Sequence, residues 1–300
     1  MLLVIRHRTR YLYSQPVTLG SHRLMLRPRE GTGLRLLSFA ATTAPASLVH
    51  WSEDVWSNAV ATATPLWTAD HFIIDSHARV ETLAAPPPVL PAHARQYPFR
   101  YDDAEWAALG ALAQPAYTDP EGRLRGWAQA FVAGHGTDTL ALLGDLNAGI
   151  AGWIAYQSRD AHGTQTPLET LQRGWGSCRD LALLLAEAVR WLGFGARLVS
   201  GYVYEPGADH GDAGASPDPV GGSTHAWVDI FLPGAGWRAF DPTNRCPGGE
   251  KLVPVAVARN IIDLPPVRGD FTGPPAAYLG MDVGVSVTAP ALQGQRQLGG

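Results

Sequence analysis

The segment Ala84-Ala85-Pro86-Pro87-Pro88-Val89-Leu90-Pro91 divides the sequence. Its four prolines remove backbone donors and fix φ, so the segment neither pairs inside a sheet nor continues a helix. Before it, from Leu2 to about Val80, β-prone runs such as Arg10-Tyr11-Leu12-Tyr13, Leu34-Arg35-Leu36-Leu37 and His71-Phe72-Ile73-Ile74 are broken by turn residues. After it the apolar spacing turns helical. The expected class is α+β: an all-β module over residues 1–85, a proline-containing linker and helical connection over 86–118, a mixed core over 119–262, and an extension over 263–300. Within that extension Met281-Asp282-Val283-Gly284-Val285-Ser286-Val287 alternates as a strand that returns to a sheet.

Composition narrows the partners. At 300 residues, 46% hydrophobic and 17% charged, the chain is expected to pack as one large or two ordinary domains. A net charge of −4 supplies no field to hold a polyanion, so nucleic acid is excluded as the principal partner. Arg6, Arg8 and Arg10 alternate along one strand and read as its solvated side. No apolar run reaches the roughly 18 residues of a membrane span. Met1 to Ile5 is followed by Arg6-His7-Arg8, unlike a signal peptide, so the cytoplasm is the expected compartment. Two cysteines, Cys178 and Cys246, make no disulfide framework.

The helical pattern has local punctuation. Asp119-Pro120-Glu121 supplies a cap, a proline and a first-turn acid ahead of Leu124, Trp127, Ala128 and Phe131, predicting a helix that stops near Gly134. A second helix is predicted over about Thr139 to Gln157. Ser177 and Asp180, directly before Leu181, Leu184, Leu185, Ala188 and Leu192, form a capping pattern for a third, which Gly193 ends. Cys178 falls at the first helical position, among unpaired N–H groups at the positive end of the dipole. Thiols have a pKa of about 8.5, and helix N-termini and cations lower it to roughly 3.5–7.5. Position alone leaves two readings, a nucleophile or a small buried hydrophobe.

Three strands follow, over Leu198–Tyr204, His225–Leu232 and Trp237–Asp241, the last two joined by a Pro233-Gly234-Ala235-Gly236 turn that makes them antiparallel neighbours. With three or five connecting residues Trp227 lies opposite Asp241, and His225 is diagonal to Asp241 on the same face. A slip of one residue would send Asp241 to the other face. The pattern therefore allows a relay in which His225 takes the Cys178 proton and Asp241 orients and supports the imidazolium.

Taken in order, Gly176-Ser177-Cys178-Arg179-Asp180, Ser223-Thr224-His225-Ala226-Trp227-Val228 and Gly236-Trp237-Arg238-Ala239-Phe240-Asp241-Pro242-Thr243 resemble the transglutaminase-like superfamily of papain-related cysteine enzymes over about residues 137–262. Tyr11-Leu12-Tyr13-Ser14-Gln15-Pro16-Val17 and Leu24-Met25-Leu26-Arg27-Pro28-Arg29 resemble the β-rich module that precedes this core in bacterial members. The resemblance implies a nucleophile helix packed on an antiparallel sheet, with Cys178 as nucleophile, His225 as general base and Asp241 as its partner. It implies thiolate attack on a carboxamide of a protein or peptide, a thioester, and release to water or to an amine, with no cofactor. The chain departs from the family at Leu181-Ala182-Leu183, where many members carry an aromatic and a polar residue, which bears on substrate contacts. Asn260 also stands where relatives often have Asp.

An oxyanion hole needs two donors. The Cys178 N–H is one; the second is sought upstream at Trp153, Tyr156 or Gln157, with Tyr156 preferred. Trp175 and Trp227 flank the nucleophile and base and either wall a substrate groove or pack in the core. The loop Gly207–Gly222, with Asp209, His210, Asp212 and Asp218, lacks regular ligand spacing and reads as a solvated flap, with no calcium loop of recognisable type. No metal site is expected, because no second Cys or His accompanies Cys178 and His225 at ligand spacing. Cys246 reads as a bystander thiol. The alternative to an enzyme is an inactive protein- or peptide-binding module on the same fold.

Overall fold

Alternation decides the first strand. In β1 (Leu2–Leu19), Leu3, Ile5, His7 and Thr9 are buried on one face while Arg6, Arg8 and Arg10 point the other way. Arg8 forms a two-point pair with Asp75 at 2.7 and 3.1 Å, and Arg10 meets Asp282 at 3.3 Å, so acids on neighbouring strands neutralise much of that row. The structure, a computed structural model, describes residues 1–84, 86–134, 136–158, 163–206, 223–244, 246, 247, 249 and 251–290, with Ser223, Cys246 and Pro247 described through their backbones alone.

After β1 come β2 (His22–Leu24), β3 (Leu34–Ala44), β4 (Ser47–Glu53), β5 (Ala59–Pro65) and β6 (Ala69–Thr82). The middle of the chain carries β7 (Gln96–Tyr97), α1 (Asp103–Leu109), α2 (Arg123–Gln129), β8 (Thr137–Asp138), α3 (Thr139–Trp153), β9 (Ala155–Tyr156), α4 (Pro167–Arg173), β10 (Trp175–Gly176) and α5 (Cys178–Trp191). Then follow β11 (Ala196–Val203), β12 (Ser223–Leu232), β13 (Gly236–Asp241), β14 (Cys246–Pro247) and β15 (Leu252–Ala258), and finally β16 (Val267–Arg268), β17 (Phe271–Thr272) and β18 (Tyr278–Thr288).

The core sheet has the order β14-β13-β12-β11-β15. Two further sheets, β17-β1-β6-β3 with β18 also on β1, and β16-β2-β5-β4, bury Val17, Phe72 and Ile74 against Leu24, Ala61 and Ala63. β16, β17 and β18 all pair with β1 or β2, so the residues beyond 263 complete the N-terminal sheets. The hydrophobic core also ignores the proline segment. Leu3, Ile5 and Val60 belong to one continuous cluster with Leu142, Leu184 and Val228.

Helix boundaries follow local chemistry. α2 begins four residues after Asp119, because 119–122 make a turn ending at Gly122 with φ 66°, and Asp119 accepts the Arg125 N–H at 2.9 Å from there. α3 starts where Asp138 accepts the Ala141 N–H at 2.8 Å and stops at Trp153, since Ile154 is extended and leads into β9. α5 is buried on every side from Asp180 to Arg190, as a helix in the middle of a core must be. Ala226, Val228, Ile230 and Leu232 of β12 pack in the same cluster as its leucines.

Two charges are buried within α5. Glu187 accepts the N–H groups of Ala116 and Tyr117 at 2.8 and 2.9 Å and pairs with Arg190, which donates to the carbonyls of Ala196 and Arg259 at 2.8 and 2.9 Å. Removing one partner of such a pair strands the other without water. Glu187→Ala is expected to lower unfolding free energy by about 3–5 kcal/mol in urea denaturation; a loss under about 1 kcal/mol would contradict the role given to this network.

Candidate active site

The first turn of α5 is fixed by a buried carboxylate. Asp180 accepts the backbone N–H and the hydroxyl of Ser177 at 2.9 and 2.8 Å through Oδ2 and the Gln165 N–H at 2.7 Å through Oδ1. Its negative charge sits at the positive end of the helix dipole. Gly176 makes room for it, because a Cβ there would lie 2.8 Å from the Asp180 Cβ. Arg179 ties the same turn to the Ile261 carbonyl at 2.8 Å. Cys178, half-buried, is thereby held at the helix start.

The residues just upstream pair with this turn. β9 runs parallel to β10 with Tyr156 beside Gly176, and the Gln157 N–H donates to the Gly176 carbonyl at 2.9 Å. Tyr156 is 56% exposed, and its hydroxyl pKa is raised first by partial burial and then by the charges of Cys178 and Glu205. Trp153, 72% exposed at the end of α3, points to solvent.

Hairpin length sets the other half of the site. Three residues, 233–235, connect β12 to β13, and Val228 pairs with Phe240. The paired register ends there, and the side chains of His225 and Asp241 meet just beyond it. The His225 Nε2–H donates to Asp241 Oδ2 at 2.8 Å. Cys178 acts on the same ring and helps to raise its pKa, and Nδ1 is the nitrogen that Asp241 leaves open.

Asp241, 1% exposed, has further partners. Oδ1 accepts the N–H groups of Thr243 and Asn244 at 2.9 and 3.3 Å, and Oδ2 also accepts Asn244 Nδ2 at 2.8 Å. Asn147 of α3 donates to the Asp241 carbonyl at 3.2 Å. Burial opposes the Asp241 charge, but bonds from His225, Asn244 and Thr243 and the imidazolium charge outweigh it, so the carboxyl is held below its ordinary range. For His225 burial likewise opposes the charged ring; hydrogen bonds and charge from Asp241 and Cys178 prevail and raise its pKa to about 9. A thiol, an imidazole and a carboxylate so linked can pass a proton from sulfur to ring.

Trp175, half-buried, carries Arg173 over its ring at 5.6 Å. For Trp227 the structure selects core packing over a groove wall. It is 2% exposed and stacks beneath His225, with centroids 6.2 Å apart and planes at 26°, so it is a floor for the imidazole and offers a substrate no wall. Asn147 and Asn244 were not legible as site residues, although Asp-Pro-Thr-Asn after a strand is the pattern of a side-chain-stabilised turn. The loop Gly207–Gly222 and the Cys246 side chain lie outside the described residues. Among the described residues no three His, Cys, Asp or Glu side chains converge to hold a metal ion, and no helix is long and apolar enough to cross a membrane.

This fold and geometry place the chain in a class. Residues 125–242 match the transglutaminase-like superfamily, and residues 3–81 match the bacterial transglutaminase-like N-terminal region. The chain thus carries a transglutaminase-like core behind a bacterial transglutaminase-like N-terminal region. It is 26% identical over 296 residues to an uncharacterized protein of Mycobacterium leprae, covering 94% of this chain and 96% of that one. An uncharacterized protein of Mycobacterium bovis is 27% identical over 279 residues, 88% of this chain and 86% of the relative. The fold is also similar to that of a candidate cysteine protease from Cytophaga hutchinsonii, with a TM-score of 0.70 and 17% identity over 97% of this chain and 91% of that one.

The shifts set a pH window. His225 binds its proton more tightly folded than unfolded, so its contribution is complete below 6.5 and is lost as pH rises through about 9. Asp241 contributes above 3.8 and loses that contribution on acidification. The melting-temperature gap between wild type and Asp241→Asn should be widest between about pH 4 and 6.5 and shrink by about pH 10. A gap that stays constant across that range would contradict the charged pair.

Proposed function

We propose that the chain is a cysteine-dependent acyl-transfer enzyme acting on peptide or isopeptide amides, with Cys178 as nucleophile, His225 as acid and base, and Asp241 as the group that orients the ring. The observation that carries this reading is the His225 ring, held through Nε2 at 2.8 Å by the buried Asp241, with Cys178 acting on the same ring. The Cys178 thiolate attacks the carboxamide carbon, and the tetrahedral oxyanion accepts the Cys178 N–H at the helix start. Tyr156, set beside Gly176 by the pairing of β9 with β10, is the second donor.

As the C–N bond breaks, imidazolium gives its proton to the departing amine, leaving a thioester on Sγ. Water or a second amine then attacks the thioester carbonyl while His225 takes the incoming proton. Sγ departs and the enzyme is restored, with a carboxylic acid or a new amide as product. The partner is a protein or peptide bearing the amide, joined by an amine where transfer replaces hydrolysis.

Alkylation of Cys178 by iodoacetamide at pH 6.5, located by mass spectrometry so that Cys246 is counted separately, tests the assignment. Wild type should react about ten-fold faster or more than His225→Ala. Equal rates would remove the basis for an enzyme and favour an inert peptide-binding module.

A further inference from the structure

Trp227, the floor beneath His225, sits in a buried cluster that also meets Trp56 of the N-terminal sheets. Its indole lies across β11 at Gly201, the residue directly opposite His225 in the strand register. A Cβ on Gly201 would come within 2.1 Å of the Val253 carbonyl oxygen and 2.8 Å of the Trp227 ring, so glycine there admits both the β15 backbone and the indole. Trp227 belongs to a small buried cluster with Val199, Val203, Leu252 and Val257, and Ala239 and Trp56, the latter from the connection between β4 and β5, pack against this cluster.

The Asp54–Asn58 loop that presents Trp56 is determined from both ends. Asp54 accepts the N–H groups of Trp56 and Asn58 at 2.9 and 3.0 Å, while Arg29 Nη1 donates to the Trp56 and Ser57 carbonyls at 2.9 Å each. Ser57 is held at φ 56°, a left-handed conformation that a side chain disfavours and that these bonds maintain. Asn58, fully buried, then docks the loop on the core like a strand residue. Its Oδ1 accepts the Val257 N–H and its Nδ2 donates to the Val257 carbonyl, both at 2.8 Å. Arg29 adds its own N–H to the Pro254 carbonyl at 2.7 Å. Elsewhere the N-terminal sheets meet the core through Leu3, Ile5 and the His7–Tyr202 hydrogen bond at 3.0 Å, so attachment alone does not require an indole here.

We propose that this loop is a positioning element of the active centre: Trp56 holds Trp227, and Trp227 holds the face of the His225 ring at the angle from which Nε2 meets Asp241 and Nδ1 meets Cys178. The N-terminal sheets are then part of the catalytic apparatus. This rests on the reading of Cys178 and His225 as nucleophile and base, and Trp56 is a positioning residue that touches neither.

The test compares wild type, Trp56→Ala and Trp56→Phe in the full chain by three measurements: melting temperature, the rate of Cys178 alkylation at pH 6.5, and the NMR titration of the His225 ring. Trp56→Ala should alkylate about ten-fold more slowly and titrate at least about one pH unit lower while still folded at the assay temperature. Trp56→Phe should recover the rate to within about three-fold. If Trp56→Ala does not fold, Trp56→Leu replaces it with the same expectation, since Leu fills volume without a flat ring. A variant that melts lower yet keeps the wild-type rate and titration would make Trp56 mere packing and overturn the proposal. Should wild type react no faster than His225→Ala, the enzymatic reading fails, and an unchanged or lowered titration in Trp56→Ala still decides the positioning claim.

Discussion

A buried carboxylate stays charged only where its lone pairs are met, and the account of this protein depends on Asp241 meeting that condition. Four donated hydrogen bonds converge on its two oxygens, from His225, Thr243 and Asn244. Without them burial would neutralise the group, and the imidazolium opposite would lose its counter-charge. With them, the carboxylate fixes one nitrogen of His225 and leaves the other for Cys178. The rest of the fold delivers these parts: a three-residue hairpin sets the register of Asp241, and the Asp180 box sets the start of α5.

That delivery draws on both ends of the chain. The sheets built from residues 2–82 are completed by strands from beyond residue 263, and they share one hydrophobic cluster with α5 and the core sheet. Asn58 behaves as an extra strand residue on β15, so the N-terminal sheets are stitched to the backbone behind the site. The superfamily core and the N-terminal region are thus contiguous in packing although they are separable as sequence matches.

What could be read from sequence was whatever short-range geometry encodes. Ser177 and Asp180 announce a helix start, and Pro233-Gly234-Ala235 limits the hairpin to registers that put His225 and Asp241 on one face. The beginning of α2 was misplaced because Asp119 acts across a turn, a choice that Gly122 at positive φ decides. Trp227 was open to two roles because an aromatic beside a site has the same local pattern whether it lines a groove or floors a histidine. Only Gly201, on a neighbouring strand, distinguishes them. Trp56 had no local signal at all, since its relation to His225 exists solely through packing between distant segments. The proline segment marks a change of hydrophobic period, while the packing of Leu3, Ile5 and Val60 with Leu142, Leu184 and Val228 runs across it.

The central claim is that Asp241 and Cys178 together set the protonation of the His225 ring. Following the His225 ring protons by NMR from about pH 5 to 10.5, in wild type and in Cys178→Ala, measures this directly. The account predicts a wild-type midpoint near 9 that falls by at least about one unit when the thiol is removed, because Cys178 contributes both a hydrogen bond and charge. A midpoint at or below 6.5 in wild type, unmoved by the substitution, would contradict it.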